Sequence, residues 1–237
     1  MVLDVLRASS TVVTLLDHGA APLYVAGTVD AARALAARLP TRPLLCGEVG
    51  GLPPAGFDGG NSPTELAAQA IAGRAVVLAT SNGTRALAAL AAAPAVLVGC
   101  FLNAAAVAAS ARAAALARRG GVAVVCAGDE GGSRFSLEDA VAAGCVVERL
   151  QALALEATLE LDDGALAAWR LYRSYTAAAP PDEAAARAFA ESWHGRELAR
   201  LGFTADLAYC ARVDASRVVP RLIHHGDALA LHAFELD

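Results

Sequence analysis

The run A-V-V-L-A-T-S-N-G-T-R-A-L-A-A-L at residues 75–90 contains the repeating unit of this chain: an apolar strand, a polar loop and an alanine-rich helix. Five other short apolar runs alternate with helical patterns in the same way. This alternation predicts a three-layer α/β/α fold, in which helices cover both faces of a largely parallel or mixed sheet. The candidate strands lie at residues 2–6, 23–26, 44–46, 75–80, 95–100 and 122–127, and the candidate helices at residues 9–18, 29–39, 63–72, 84–92, 103–118 and 137–157.

The pattern changes after Leu161, where helices predominate. We predict an α/β core over residues 1–160 that carries the functional crevice, and a helical section with a mixed C-terminal segment over residues 161–237, packed as one globular unit. The alanine-rich helical section is also a candidate homodimer surface. Its predicted elements are helices at 162–175 and 182–200, separated by Pro180 and Pro181, and a terminal strand pair at 216–219 and 221–232, joined near Pro220 or around Gly226.

The composition of the 237 residues is that of a globular protein that binds small molecules. Its hydrophobic content of 56% is enough for a core, and its net charge of -5 argues against nucleic-acid and anionic-membrane partners. The chain shows no signal-peptide pattern and no apolar run long enough to span a bilayer. The five cysteines include no C-x-x-C pair, so we expect buried, reduced thiols in a cytoplasmic protein.

Residues that can carry chemistry follow four of the candidate strands. At each strand end, acids, hydroxyls or glycines lead into a helix, whose unpaired N–H groups form a natural anion site. The carboxyl ends of parallel strands lie at one edge of a sheet, so the four segments are expected to share one crevice. Their sequences are D-V-L-R-A-S-S-T (4–11), G-E and G-F-D-G-G-N-S-P (47–48 and 56–63), T-S-N-G-T-R (80–85) and C-A-G-D-E-G-G-S-R-F-S-L-E-D (126–139).

Each segment, taken alone, also has a purely structural explanation. Ser9, Ser10 or Thr11 can cap the first helix, and S-P-T-E at 62–65 has the pattern of a capping box. Glu138 in a first helical turn complements the helix dipole. The shared sheet edge accounts for all four segments together, which favours a site for a multiply anionic small molecule with a divalent metal.

The acidic residues indicate which metal to expect. Glu48 and Asp58 lie ten residues apart in irregular chain, and hard carboxylate oxygens suit Mg²⁺, which keeps several waters and takes other ligands from substrate oxygens. Asp4 is expected to face the same crevice, where Arg7 can bind a phosphate or carboxylate. Alternatively, Asp4 and Arg7 form a surface ion pair. The five histidines show no metal-ligand spacing, and none is assigned to the site.

The four segments together resemble the 2-phosphosulfolactate phosphatase family, the Mg²⁺-dependent phosphatases of coenzyme M biosynthesis. The resemblance continues through H-G-R-E-L (194–198) and D-L-A-Y-C (206–210) to V-V-P (218–220). It implies a phosphoric monoester hydrolase that converts 2-phospho-3-sulfolactate into 3-sulfolactate and phosphate. The alternatives are a Mg²⁺-dependent phosphatase of another small phospho-acid, and a non-catalytic module that binds an anionic metabolite.

The resemblance also implies roles for individual residues. Val49 stands where the family pattern has arginine after the G-E pair, which removes one expected anion contact. The implied Mg²⁺ ligands are Asp4, Glu48, Asp58 and Asp139, and the implied catalytic residues are Asp4, Arg7, Asp58 and Asn82. The implied substrate contacts are Ser9, Ser10, Thr11, Gly60, Asn61, Ser62, Ser81, Gly83, Thr84 and Gly128.

Overall fold

The computed structural model describes residues 1–154 and 159–234 of the chain. It confirms the α/β fold, because the six predicted strands and the terminal strand pair are all present. The strands are β1 (Val2–Leu3), β2 (Leu23–Ala26), β3 (Leu44–Gly47), β4 (Val76–Ala79), β5 (Val98–Gly99), β6 (Val125–Cys126), β7 (Val219–His225) and β8 (Ala228–Phe234). The helices are α1 (Ala8–Asp17), α2 (Val29–Arg38), α3 (Pro63–Ala67), α4 (Gly83–Ala89), α5 (Ala104–Arg118), α6 (Leu137–Leu153), α7 (Asp163–Thr176), α8 (Pro181–Glu191), α9 (Trp193–Arg200) and α10 (Thr204–Cys210).

Several helices differ from the sequence prediction. The helix predicted over 182–200 is in fact two helices, α8 and α9, which meet at Ser192. Ser192 has extended backbone angles, and its Oγ accepts a hydrogen bond from the backbone N–H of Gly195, so it ends one helix and caps the next. Helix α3 is shorter than predicted, and α10 is absent from the prediction. The predicted end of α6, residues 155–157, lies outside the described residues.

The strands form two sheets instead of one. β5, β1 and β6 make a three-stranded parallel sheet, and β3, β4, β2, β8 and β7 make a five-stranded mixed sheet in that order. The terminal hairpin lies between the parallel strands of the two sheets, because β8 pairs antiparallel with β2 and an isolated bridge joins Arg221 of β7 to Leu97, which precedes β5. The hairpin turns at Gly226, which has a left-handed φ of 59°, and Pro220 lies within β7.

The short strand β1 lies at the junction of the two main hydrophobic clusters. Leu3 belongs to the cluster that contains Phe101 and much of α6, whereas Val2 packs in the other cluster with Leu23 and Leu78. Both residues of β1 are buried, and β1 pairs with a parallel strand on each side. This packing fixes the position of the residue that follows β1, Asp4, near the centre of the molecule.

The cysteines are free thiols, and four of them (Cys46, Cys100, Cys145 and Cys210) are buried as expected. The expectation is wrong for Cys126, which is exposed. Its strand, β6, is an outer strand of the three-stranded sheet and has no neighbouring strand on one side. No helix in residues 1–154 and 159–234 is long and apolar enough to cross a membrane.

Candidate active site

A cavity of about 190 Å³ lies at the carboxyl ends of β1, β3, β4 and β6, and α9 forms another of its walls. Each strand end contributes at least one lining residue, so the predicted sheet-edge segments do converge. The cavity is lined by both parts of the chain, because α9 belongs to the C-terminal helical section. The lining residues are Asp4, Leu6, Arg7, Glu48, Gly50, Gly51, Asn61, Ser81, Asn82, Asp129, Trp193, His194, Glu197, Leu198 and Leu201.

Asp4 is the most deeply buried acid of the cavity, with only 7% of its surface exposed. Its carbonyl oxygen accepts a hydrogen bond from Ser9 N at 2.8 Å, and its Oδ1 has a long contact of 3.4 Å with Ala8 N. Burial is the main cause that raises the pKa of Asp4, His194 opposes it and the charge of Glu48 adds to it, and together these effects bring the pKa to about 6. The Asp4 carboxylate is therefore short of positive charge.

Glu48 connects two of the loops around the cavity. Its Oε1 accepts a hydrogen bond from Ser81 N at 2.7 Å, and its Oε2 accepts one from Gly51 N at 2.9 Å. Asn61 lines the same cavity and is buried, and its Oδ1 has no hydrogen-bond partner. Two carboxylates and an unsatisfied amide oxygen thus belong to neighbouring parts of one cavity.

Arg7 lines the cavity but does not pair with Asp4. Its Nη1 lies 2.9 Å from Oδ2 of Asp206 in a fully buried ion pair, and its Nη2 donates to the carbonyl of Gly51 at 2.8 Å. The guanidinium carbon also lies 4.0 Å from the ring centroid of Phe203. The alternative of a surface ion pair between Asp4 and Arg7 is therefore wrong.

Asp139 lies behind the cavity and does not line it. Its Oδ1 accepts a hydrogen bond from Val5 N at 2.9 Å, and its Oδ2 accepts one from Gly128 N at 3.3 Å. Burial raises the pKa of Asp139 well above its ordinary value, and the nearby charges of Asp4 and Glu138 add to the effect. Through its two backbone contacts, Asp139 links the chain after β1 to the chain after β6.

The predicted hydroxyl ligands of the first segment do not line the cavity. Ser9 Oγ accepts from Asp4 N, Ser10 Oγ donates to the carbonyl of Val5, and Thr11 Oγ1 donates to the carbonyl of Asn61. None of these hydroxyls caps α1, whose N-cap is Arg7, so the capping interpretation is wrong. All three side chains are buried and bind backbone groups, Ser9 and Ser10 within their own segment and Thr11 in the loop before α3.

Of the other predicted substrate contacts, some line the cavity and the rest make structural contacts near it. Ser81 and Asn82 line the cavity, whereas Gly60, Ser62, Gly83, Thr84 and Gly128 do not. Ser62 Oγ caps α3 by accepting from Glu65 N at 3.2 Å, which confirms the predicted cap. Gly83 packs against Asp4, because an added Cβ would lie 2.7 Å from Oδ2 of that residue. Thr84 exchanges hydrogen bonds with Thr80.

Asp58 is not brought to the cavity. Its Oδ2 accepts a hydrogen bond from Leu45 N at 2.9 Å, and its Oδ1 pairs with Arg42. Because β3 is the outer strand of its sheet, Leu45 N has no neighbouring strand to bind on that side, and the Asp58 carboxylate accepts its hydrogen bond instead. The loop from 47 to 62 thus separates its two acids, with Glu48 at the cavity and Asp58 outside it.

We therefore expect Asp58→Asn to have little effect on catalysis. The substitution weakens an exposed ion pair and keeps a side-chain oxygen for Leu45 N, so the expected loss of unfolding free energy is about 1 kcal/mol or less. Turnover should stay within about twofold of the wild type. Steady-state kinetics and urea unfolding check both values. A loss of activity beyond tenfold in a folded protein would return Asp58 to the site.

Sequence reasoning missed several residues of the site. Asp129, Trp193, His194 and Glu197 line the cavity, and Asp206 holds Arg7. The motifs H-G-R-E-L and D-L-A-Y-C contain three of these residues, so a signal was present. It was not connected to the strand ends, because no local pattern shows that α9 and α10 pack beside them.

The cavity carries more negative than positive groups. Asp4, Glu48, Asp129 and Glu197 line it, and Arg7 is paired with Asp206; Asp129 and Glu197 also have arginine partners, Arg134 and Arg200. Within the described ranges, no group of three His, Cys, Asp or Glu residues is arranged to hold a metal ion. Mg²⁺ needs only one or two carboxylates when waters and substrate oxygens complete its shell. The oxygen donors of Asp4, Glu48 and Asn61 fit that requirement.

An α/β sheet with an acidic, partly enclosed cavity at its strand ends is characteristic of enzymes that act on small molecules. The family model of 2-phosphosulpholactate phosphatase matches residues 1–225. The chain belongs to this family of phosphoric monoester hydrolases.

Individual relatives agree with the family match. A protein of Deinococcus radiodurans named probable 2-phosphosulfolactate phosphatase is 43% identical over 231 residues, which are 97% of this chain and 90% of the relative. Proteins with the same name in Thermus thermophilus and Thermotoga petrophila are 38% and 36% identical and are matched over 86% and 88% of their lengths. Each of these two matches covers 94% of this chain. The similarity therefore extends over both the α/β core and the helical section.

Proposed function

We propose that this protein hydrolyses 2-phospho-3-sulfolactate to 3-sulfolactate and phosphate with the help of Mg²⁺. The observation that carries the proposal is the buried carboxylate of Asp4, which shares its cavity with Glu48 and is short of positive charge. A substrate with phosphate, carboxylate and sulfonate groups adds further negative charge to this cavity. A divalent cation between protein and substrate resolves that conflict. The names of the relatives support the choice of substrate.

In this proposal the side chains of Asp4, Glu48 and Asn61 hold the metal. When bound there, Mg²⁺ would supply positive charge to offset the negative charge of the phosphoryl oxygens. Asp139 and Gly83 keep Asp4 in place, and the two backbone contacts of Glu48 fix its carboxylate. The metal-binding groups are thus preorganised by their neighbours.

The remaining lining residues bind and orient the substrate. Arg7 and the amide of Asn82 are donors for its anionic oxygens. Water attacks phosphorus, the bond from phosphorus to the C2 oxygen of the sulfolactate breaks, and that oxygen takes up a proton. His194 lines the cavity, and an imidazole can give a proton to the leaving oxygen and take back the proton that the attacking water loses, so we assign this proton transfer to it.

Phosphate release from a set of phosphorylated 2-hydroxy acids tests the proposed function. With Mg²⁺ present, kcat/KM should be highest for 2-phospho-3-sulfolactate and lower for 2-phospholactate, which lacks the sulfonate. Equal or faster hydrolysis of the compound without sulfonate would contradict the substrate assignment. If no compound releases phosphate while one of them still raises the melting temperature, the protein is a binding module.

Val49 favours a second candidate, a phosphatase of another small phospho-acid. Its side chain is 60% exposed and lines a pocket beside the cavity, together with Glu48, Ser81 and Arg85. The family resemblance leads us to expect arginine there. We predict that Val49→Arg lowers KM for 2-phospho-3-sulfolactate about two- to fivefold and changes KM for 2-phospholactate less, because a charge contact at an exposed position is worth up to about 1 kcal/mol.

Steady-state kinetics of the two substrates measures this effect. Val49→Gln is the matched control, since it adds a long polar side chain without a charge. The same KM change in both variants, or for both substrates, would show that position 49 does not select the sulfonate.

A further inference from the structure

Asp206 is a buried carboxylate whose two oxygens are both fully used. It lies in α10 and is 1% exposed. Its Oδ2 binds Nη1 of Arg7 at 2.9 Å. Its Oδ1 accepts from Ser62 Oγ at 2.8 Å, from Thr64 Oγ1 at 2.6 Å and from Thr64 N at 3.3 Å. Asp206 therefore joins the helical section to the chain after β1 and to the first turn of α3.

Arg7 is held on three sides and still lines the cavity. Asp206 binds one terminal nitrogen, the carbonyl of Gly51 accepts from the other, and Phe203 packs against the guanidinium. A guanidinium has five N–H donors in one plane, so these two hydrogen bonds leave further donors for a ligand. With the group fixed in this way, little conformational entropy is lost when an anion binds to it.

The position of the partners distinguishes this arrangement from a simple internal ion pair. Arg7 and Gly51 line the cavity, and Ser62 directly follows the lining residue Asn61. Every hydrogen bond to Asp206 therefore comes from the cavity wall or from the turn next to it. A buried ion pair is a poor source of stability, because desolvation offsets its attraction. A role in fixing the orientation of Arg7 therefore explains the Arg7–Asp206 ion pair better than a contribution to stability does.

We propose that Asp206 is a positioning residue that holds Arg7 in the orientation in which it binds the anionic groups of the substrate. This inference rests on the proposed function, in which Arg7 contacts the substrate. Asp206 itself touches no substrate. It contributes through Arg7, and it makes anion binding depend on the correct packing of α10 against the α/β core.

Asp206→Asn tests the proposal, because asparagine has the size of aspartate but no charge. Its NH2 group also replaces one of the two oxygens that accept hydrogen bonds from Arg7, Ser62 and Thr64. KM for the phosphate ester and the inhibition constant of inorganic phosphate should both rise tenfold or more, while kcat changes less. Asp214→Asn is the matched control. Asp214 also pairs with an arginine, Arg149, at 2.9 Å and accepts from a backbone N–H, but Arg149, unlike Arg7, does not line the cavity. Its variant should lose stability without a change in either constant.

Thr64→Val is a second variant that keeps every charge and removes only the hydroxyl donor to Asp206. It should raise both constants about two- to fivefold, and it carries the test if Asp206→Asn does not fold. Unchanged KM and phosphate inhibition in the folded variants, with stability losses like that of Asp214→Asn, would overturn the positioning role. If the wild type hydrolyses no phosphate ester, the proposed function fails separately. Calorimetric binding of inorganic phosphate to the same variants then decides the role of Asp206.

Discussion

Asp4→Asn is expected to lower the rate of phosphate release by roughly 10³-fold or more, and to make the metal-free protein more stable at pH 8. The loss of activity follows from the removal of a carboxylate that the proposed mechanism uses to hold the metal. The gain in stability follows from burial, because an amide is cheaper to bury than an unpaired charge. A purely structural residue would lose stability on substitution, so the combination is diagnostic.

The pH dependence of this stability effect can be worked out from the pKa of Asp4. Burial, followed by the charge of Glu48, raises that pKa from 3.8 to about 6. The folded state therefore favours the protonated acid, and the stability present below pH 3.8 is lost as the pH rises through about 6. A shift of about two units corresponds to about 3 kcal/mol. The asparagine side chain does not ionise and avoids this loss.

Urea unfolding of the metal-free wild type and of Asp4→Asn at pH 5 and pH 8 measures the effect. The advantage of the variant should be larger at pH 8. Asp139 adds to this advantage. The loss of the Asp4 charge removes one cause of the raised pKa of Asp139, so ionised Asp139 destabilises the variant less than the wild type. An active variant, or a variant that is less stable than the wild type at pH 8, would contradict the role assigned to Asp4.

Removal of divalent metal is expected to abolish turnover, with a fall of roughly 10³-fold or more that Mg²⁺ reverses. Mg²⁺ should also raise the melting temperature of the wild type, and more at pH 8 than at pH 5. The reason is that a proton competes with the metal for the Asp4 carboxylate below its pKa of about 6. Assays after chelation and thermal unfolding with added Mg²⁺ measure both results.

Asp4→Asn serves as the control for the melting experiment, because it should lose most of the shift caused by Mg²⁺. Full activity after thorough chelation would rule out the metal-dependent mechanism. A shift of equal size in wild type and variant would show that the metal binds elsewhere.

Much of the fold could be predicted from the sequence because its elements are local. Each strand of the α/β core is a short apolar run followed by a helical pattern, and all six are present, although β1, β5 and β6 have only two residues each and are shorter than predicted. The insertion of β8 beside β2 could not be predicted, since these strands are about 200 residues apart and their pairing is tertiary. No proline or glycine precedes Ser192, where α8 ends and α9 begins, so the sequence pattern did not predict the division between the two helices.

The candidate site was predictable only where strand ends determine it. Asp4, Glu48 and Ser81 follow strands of the core, and they do line one cavity. Asp58 lies in an irregular loop, where sequence alone does not show which way a side chain turns. His194 and Asp206 reach the site through the packing of α9 and α10, which has no local signal.

The hydroxyls of residues 9–11 show a further limit of pattern reading. A serine or threonine that follows a strand end can face a ligand or the protein interior. Here the helix begins at Ala8, so Ser9, Ser10 and Thr11 lie inside its first turn and bind backbone groups. A shift of one or two residues in the start of the helix therefore decides between ligand binding and structural bonding.

The most direct test of the account is a crystal structure of the protein soaked with Mg²⁺, 3-sulfolactate and phosphate. We expect a metal ion bound to the carboxylates of Asp4 and Glu48, with the phosphate in the same cavity and in contact with Arg7. A metal ion at Asp58, or a phosphate bound outside the cavity, would contradict it.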